Sequence, residues 1–347
     1  MKFSICIPNY NYGQYIGETI QSVISQDYEN IEVIISDNQS TDNSWQVIQE
    51  YAQKDPRVKA FQNLSNLGFA GNLDVVSAKA TGDYHLLVSS DDLINPGALA
   101  FYARFIEAVG QDKIAFSAST TKVDSTGNFL ELGRPNSKLW KTSDQDETLS
   151  NQFGCPVYKV ASGEMLRRCL LTFYGPFMFV SACYRAEDYL AAGGYGGSRM
   201  MNPDKWFHWR LLGQTDYVYF IDKQLFSYRW HDTNQTAQQK SSGALKFFLD
   251  EYRSSFETSD RMLAKAGLNG DELKRSFIYN SICKYTFSYI KLGQIRMGWR
   301  VFRFGWACYP DLMWKNKYAW LLYSLLLSGK LGTLIVKPLK ANYVTGK

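Results

Sequence analysis

From Phe3 to Ser90, short apolar runs alternate with segments in which apolar residues recur at helical spacing. Phe3-Ser4-Ile5-Cys6-Ile7-Pro8 is a β-branched and aromatic run that stops at the polar turn Asn9-Tyr10-Asn11-Tyr12-Gly13. Ile16, Ile20, Val23 and Ile24 then share one face of a helix. A second strand, Ile31 to Ser36, ends in Asp37-Asn38-Gln39-Ser40-Thr41-Asp42, where Ser40, Thr41 and Asp42 are candidate caps for a helix through Trp45, Val47, Ile48 and Tyr51. A strand at Val58 to Phe61 and a helix through Leu73, Val76 and Ala80 follow. The turn Thr81-Gly82-Asp83 leads into Tyr84-His85-Leu86-Leu87-Val88-Ser89-Ser90-Asp91-Asp92, an apolar run that ends in two carboxylates. Strand and helix in strict alternation predict a parallel sheet with right-handed crossovers. Ligands bind beyond the carboxyl ends of such strands, so Asn9, Asp37, Asn38 and Asp91 should lie side by side on one rim.

The pattern then changes. Val123 to Val160 is rich in Ser, Asn, Lys and Gly and reads as irregular connection. An apolar stretch, Phe177 to Arg185, precedes the loop Gly193-Gly194-Tyr195-Gly196-Gly197-Ser198, which has little in its own composition to hold it still. Asp204 follows Pro203 at a helix start, and Tyr217 to Ile221 is a strand. Beyond Ser241 only helical patterns remain, with Ile295, Trp299, Phe302 and Trp306 on one face and Arg296, Arg300 and Arg303 beside them. Ala319 to Ser328 is apolar, but a spanning helix needs about 20 such residues, so this segment should lie on a membrane or pack within the protein.

The chain of 347 residues, 45% hydrophobic and 20% charged, is globular and has room for one large α/β domain, expected over residues 1–235, and a helical region over 236–347. Its net charge of +5 is uneven: residues 291–347 hold ten Lys or Arg, one acid and four of the nine tryptophans. A basic, tryptophan-rich helical tail suits either a packed subdomain or an interfacial anchor. Nucleic-acid binding is disfavoured, because the basic charge coincides with Trp and Leu runs and no nucleic-acid motif appears. Six cysteines without metal-ligand spacing, and an N-terminus without a signal-peptide pattern, point to a reduced cytoplasmic protein. Neither G-x-G-x-x-G after the first strand nor a P-loop is present, which disfavours dinucleotide oxidoreductases and P-loop NTPases.

Taken together, Ser4-Ile5-Cys6-Ile7-Pro8-Asn9-Tyr10-Asn11, Ile34-Ile35-Ser36-Asp37-Asn38-Gln39-Ser40-Thr41-Asp42 and Ser89-Ser90-Asp91-Asp92 resemble the family-2 glycosyltransferases of bacterial polysaccharide type. The resemblance implies a GT-A fold: a Rossmann-like mixed sheet flanked by helices, here with a C-terminal helical extension. It implies an inverting transfer of one sugar from a nucleotide-diphosphate sugar to a glycan or lipid-linked acceptor. It places the donor against Pro8, Asn9, Tyr10, Asp37, Asn38, Ser40, Asn66, Asn72, Ser90 and Asp91, with Mg²⁺ or Mn²⁺ on Asp91, Asp92 and His231 and with Asp204 as catalytic base. Work at the inner face of the cytoplasmic membrane, through a peripheral contact, is part of the same expectation. Ser89 stands where the family's Asp-x-Asp begins, Asn38 replaces a frequent Asp, Pro203 replaces a frequent Glu, and Phe226 removes the Gln-x-x-Arg-Trp signature of processive synthases. The blander uses remain beside these: Asp91 and Asp92 as a strand-end cap, Asp37 and Asn38 as turn formers, Asp204 as an N-cap, His231 as packing, and His85 and His208 as structural histidines. The alternative function is a catalytically degenerate nucleotide-sugar-binding or membrane scaffold protein of the same fold.

Overall fold

A computed structural model describes residues 1–110, 112–196, 200, 202–232, 234 and 244–338. The chain divides into two compact units, Met1–Leu166 with Gly175–Ala237, and Arg167–Tyr174 with Gln238–Lys347. The boundary expected at 235/236 falls outside the described residues.

The first unit is built on β1 (Phe3–Asn9), α1 (Gly13–Ile24), β2 (Ile31–Asp37), α2 (Ser44–Lys54), β3 (Val58–Gln62), α3 (Gly68–Ala78) and β4 (Tyr84–Leu87). It continues through β5 (Leu93–Ile94), α4 (Ala98–Val109), β6 (Ile114–Val123), β7 (Phe129–Leu132), α5 (Glu147–Phe153), β8 (Val157–Ala161) and the start of α6 (Ser162–Thr172), whose residues from Arg167 on belong to the second unit. After these come β9 (Cys183–Arg185), α7 (Ala186–Ala191), α8 (Pro203–Leu212) and β10 (Tyr217–Arg229). The strands form one sheet in the order β3-β2-β1-β4-β9-β6-β10-β5, with β7 on β6 and β8 on β10.

The first four strands are parallel, and β1, β2 and β4 are buried along their whole length, as strands inside a parallel sheet usually are, while β3 at the edge is partly exposed. The sheet becomes mixed at β9, which runs antiparallel to both β4 and β6. Phe3, Ile5 and Ile7 face a core with Ile16, Ile20, Ile48, Leu99 and Phe105 from α1, α2 and α4. Order 3-2-1-4 makes the chain reverse direction across the sheet between β1 and β4. With right-handed crossovers on either side, that switch point is where a ligand crevice opens. The register sets Asn9 directly opposite Asp37, so the two polar loops begin at the same level.

Residues 123–160 are more ordered than their composition suggests. They hold β7, α5 and β8, and every residue of β7 is exposed. A strand with no buried face has no alternation of apolar and polar residues by which to be read.

At the opposite end of the parallel strands the Glu32 side chain is 2% exposed and joins four segments. It accepts hydrogen bonds from Ser4 Oγ at 2.6 Å, Lys2 Nζ at 2.8 Å, Lys59 Nζ at 2.7 Å and the Thr81 N–H at 2.6 Å. Gly82 follows because a Cβ there would lie 2.8 Å from the Lys2 carbonyl oxygen. Burial would raise the Glu32 carboxyl, but these donors hold it well below the usual carboxylate range. A depressed folded-state value means stabilisation that is complete above the unfolded value of about 4.3 and lost as pH falls through the folded one. Glu32→Gln should therefore cost about 1–3 kcal/mol at pH 7. In thermal unfolding, the gap from wild type should narrow once both proteins are measured in acid.

The second unit is helical: α9 (Ala244–Glu257), α10 (Asp260–Ala266), α11 (Gly270–Phe277), a π-helical segment (Ile278–Cys283), α12 (Lys284–Lys291), α13 (Ile295–Cys308), α14 (Pro310–Trp314), α15 (Lys317–Leu327) and α16 (Lys330–Val336). Phe248 packs on Phe277, Tyr285 and Phe304, while Val301, Phe302, Met313, Leu322 and Leu326 are buried. Gly298 lets α13 approach Leu326 of α15, since a Cβ there would lie 3.0 Å from that side chain. Among the described residues no helix is long and apolar enough to cross a membrane.

Candidate active site at the ends of the first and fourth strands

The loops after β1, β2 and β3 are tied into one hydrogen-bonded floor. Asn9 Nδ2 donates to Asp37 Oδ1 at 2.8 Å and to Ser40 Oγ at 3.2 Å, and Ser40 Oγ donates to the same Asp37 oxygen. Gln62 Nε2 donates to Asp37 Oδ2 at 3.0 Å. Asn38 Nδ2 donates to Asn66 Oδ1, and Asn38 Oδ1 accepts from the Leu67 N–H and from Asn63 Nδ2. Asn72 Nδ2 reaches the carbonyls of Asn9 and Ser36, which docks α3 beneath the loops. Ser40 and Asp42 were expected to cap α2. Asp42 does accept the N–H of Ser44, the first residue of α2, and with its other oxygen that of Gly13, whereas Ser40 Oγ accepts the Asn11 N–H, so the two clasp the first loop to the second.

The structure thus brings Asn9, Asp37, Asn38, Ser40, Asn66 and Asn72 together. It also gives most of their polar atoms to one another. Asn38, 2% exposed, has its amide taken up by the loop at Asn66–Gly68. Asn9 Oδ1 differs, being buried with no hydrogen-bond partner among the described residues. A buried acceptor left without a donor is costly, and in a crevice it is a ready partner for a ligand N–H or O–H. Tyr10 stands at the edge, 43% exposed. Pro8 contributes its carbonyl, which accepts from Ser90 Oγ at 2.7 Å and joins the loop after β4 to β1.

Beyond Ser90 the two acids do different things. Asp91 Oδ2 lies 3.0 Å from His231 Nε2, and both side chains are buried. Asp92 turns inward and accepts the Arg229 N–H at 2.9 Å. Burial, then the charge of Asp91, pushes the Asp92 carboxyl well above the usual carboxylate range against the pull of Arg229. Arg229 is 2% exposed and spans the site: Nε donates to the Asp91 carbonyl at 2.9 Å, Nη1 to the Ser125 carbonyl at 3.2 Å and Nη2 to Glu18 at 2.6 Å. Asn234 fixes the turn that follows, donating to the Arg229 carbonyl and accepting the His231 N–H.

Arg229, Glu18, Tyr12 and Tyr15 were not singled out from the sequence. Tyr15 packs on His231 in a tilted contact at 4.8 Å between centroids, and Tyr12 approaches the same ring edge-on at 5.8 Å. Burial and the charges of Asp91 and Asp92 raise the Tyr12 phenol, which keeps its proton. One signal was present in the sequence. Arg229 and His231 are two apart at the end of a strand, and side chains at that spacing share a face.

Asp204 begins α8 behind Pro203 and is half-buried. Its charge is one of the influences, after burial and the Tyr184 contact, that raise the Tyr195 phenol. The glycine-rich loop is better held than its composition suggests. Arg210 of α8 donates to the carbonyls of Ala192 and Gly194, each at 2.8 Å, and Asp74 of α3 accepts the Tyr195 N–H at 2.9 Å. Gly197 and Ser198 lie outside the described residues. His85 and His208 are buried, and burial pushes their imidazoles down to about 4 and about 3, consistent with structural rather than catalytic use.

Residues 4–169 match the model of Glycosyl transferase family 2. Over these residues, just under half of the chain, the sequence resembles a family-2 glycosyl transferase domain. An uncharacterized glycosyltransferase of Haemophilus influenzae is 34% identical over 129 residues, covering 37% of this chain and 36% of the relative. The poly(ribitol-phosphate) beta-N-acetylglucosaminyltransferase TarS of Staphylococcus aureus is 38% identical over 110 residues, 31% of this chain and 19% of that protein. The matched stretch therefore spans little more than a third of the first relative's length and less of the second's. The crystal structure of S. aureus TarS 1–349 in complex with UDP-GlcNAc has a TM-score of 0.62 at 19% identity, covering 97% of this chain and 89% of that one. The mannosyltransferase PcManGT from Pyrobaculum calidifontis, in complex with GDP-Man and Mn²⁺, has a TM-score of 0.53 at 13% identity, covering 97% and 87%. These neighbours show the GT-A fold.

Family-2 domains of this fold often work with a divalent cation. Among the described residues no three His, Cys, Asp or Glu side chains converge to form a metal cage. Hard cations that arrive with a phosphate substrate need only one or two protein carboxylates, because phosphate oxygens and water fill the remaining positions. The buried Asp91–His231 pair fits that need. Asp92 fits less well, since one of its oxygens is engaged by Arg229.

Proposed function

We propose that the chain transfers a single sugar, with inversion, from a nucleotide-diphosphate sugar to the hydroxyl of a glycan or lipid-linked acceptor, working peripherally at the inner face of the cytoplasmic membrane. The observation that carries this reading is the pairing of Asp91 with His231 at the switch point of the sheet, next to a loop floor whose buried Asn9 Oδ1 has no hydrogen-bond partner among the described residues. That the neighbouring structures were solved with UDP-GlcNAc and with GDP-Man supports a nucleotide-sugar donor.

In this reading the floor around Asn9 and Asp37 receives base and ribose, with Asn9 Oδ1 accepting one of their donors. Asp91 and His231 would hold Mg²⁺ or Mn²⁺, which when bound neutralises charge on the leaving diphosphate. Tyr12, kept protonated, offers a hydroxyl donor to the same anionic region. Arg229 acts through Asp91, fixing the height of its backbone while its own charge is spent on Glu18. Asp204 takes the proton from the acceptor hydroxyl as that oxygen attacks from the face opposite the leaving group. The helix N-terminus favours its ionised form. A single displacement inverts the anomeric centre. Phe226 in place of the synthase glutamine accords with one transfer rather than many.

The test is turnover of a panel of nucleotide sugars by the purified protein with Mn²⁺ and with a chelator. Metal-dependent release of the nucleoside diphosphate from one donor supports a transferase. Tight donor binding with no release from any donor would instead support the scaffold reading, which Ser89 in place of a carboxylate motivates.

A further inference from the structure

The C-terminal helices turn an unusual face outward. α15 buries Ala319, Leu322, Leu325 and Leu326, and α16 buries Gly332 and Val336. Both pack against α12, and Thr333 Oγ1 donates to the Ile290 carbonyl at 3.0 Å. Their other sides therefore look away from α12 together. Those sides are apolar, with Leu321 57% exposed, Leu327 63%, Leu331 60%, Leu334 66% and Ile335 55%. Single exposed leucines are ordinary on a protein surface, whereas five on two adjoining helices form a patch that calls for an occupant.

Two features beside the patch say which occupant. Trp314, 63% exposed, and Trp320, 39% exposed, pack edge to face at 4.9 Å, with Trp306 against both, and the Trp320 Nε1–H donates to the Trp314 carbonyl. Indoles clustered at the margin of an apolar surface, each with an apolar body and a polar edge, suit the level of lipid headgroups. Lys315, Lys317, Lys330 and Lys337 are exposed around the same helices, and Asp311 is the one acid from residue 291 onward. An anionic bilayer matches all three features at once, with an apolar interior for the leucines, a headgroup layer for the indoles and a negative surface for the lysines.

We propose that α15 and α16 lie in the plane of an anionic membrane as a docking surface. Leu321, Leu327, Leu331, Leu334 and Ile335 enter the acyl boundary, the indoles sit at headgroup level, and the lysines meet lipid phosphates. The surface gives residues to the membrane contact in the proposed function and rests on that reading only for its purpose.

Sedimentation of the full chain with vesicles tests it. The protein should pellet with mixed phosphatidylcholine and phosphatidylglycerol vesicles, pellet far less with phosphatidylcholine alone, and be released by high salt. Leu321→Glu/Leu334→Glu should weaken partitioning by more than about tenfold, and Lys315→Gln/Lys317→Gln by about tenfold. Both should keep the wild-type thermal transition and wild-type nucleoside diphosphate binding without vesicles. The charge variant keeps the test decisive if the leucine variant does not fold. Absence of vesicle binding, or partitioning unchanged in both variants, overturns the proposal. So does a concentration-dependent dimer that the leucine variant abolishes, since a second copy would then cover the patch. Nucleoside diphosphate binding without vesicles reports on the Asp91 site alone, so its failure counts against the transferase reading and leaves membrane docking standing.

Discussion

Asp204→Asn should bind the donor as the wild type does and transfer almost none of its sugar. The substitution keeps size and the helix-start position behind Pro203, so α8 should form as before. What it removes is the ability to accept a proton. General-base assistance contributes about 10²–10⁴-fold, and kcat should fall by that factor with the Kd for donor changed little. Spontaneous donor hydrolysis, in which water replaces the acceptor, should fall less, because water needs less exact placement than a bulky alcohol. Transfer at the wild-type rate would remove Asp204 from the mechanism. Equal losses of donor affinity and turnover would assign it to the architecture of α8 and the loop that Arg210 holds.

Arg229→Ala should have the largest effect on stability. Two adjacent acids, Asp91 at 5% and Asp92 at 1% exposure, are buried beside this one guanidinium. Glu18, its partner on the far side, is exposed and can return to water. Removing the guanidinium leaves the buried Asp91 carbonyl without its Nε–H donor, unties the Ser125 carbonyl and Glu18, and takes a positive charge from beside the buried Asp92, a change of about 3–5 kcal/mol or a thermal midpoint lower by about 10 °C. Arg229→Lys should recover only part of this, since a single ammonium cannot reach the Asp91 carbonyl, the Ser125 carbonyl and Glu18 together. Donor binding with Mn²⁺ should weaken in both variants beyond what the lost stability explains. If Arg229→Ala unfolds at the wild-type temperature, the guanidinium is not what holds the two acids in place.

Much of this was legible along the chain, for reasons particular to each segment. The parallel half of the sheet could be read because β1, β2 and β4 are buried on both faces, and Pro8, Asp37 and Asp91 mark where these three stop. The meeting of Asn9 with Asp37 follows from that alone, as their registered pairing confirms. The mixed half could not be read: β9 is three residues long within the apolar stretch 177–185, and its direction is set by neighbours far away in sequence. Asn38 shows a different limit. Its position at the end of β2 was evident, but not that the loop at Asn66–Gly68 would take up its amide. Arg229 lay in plain view between Tyr228 and His231, yet only the fold reveals that its charge is directed at Glu18, some two hundred residues earlier in the chain. The glycine loop misled through composition: four glycines around Tyr195 read as slack, while Arg210 and Asp74 pin its first half.

The central claim is that Asp91, at the end of β4, meets a diphosphate through a divalent cation. Calorimetric titration of nucleoside diphosphates into the wild-type and Asp91→Asn proteins, each with Mn²⁺ and with a chelator, tests it most directly. One nucleoside diphosphate should bind the wild type with Mn²⁺, weaken by more than about tenfold on chelation, and weaken similarly in Asp91→Asn without further response to the metal. Binding of equal strength in all four combinations, or none in any, would contradict the account.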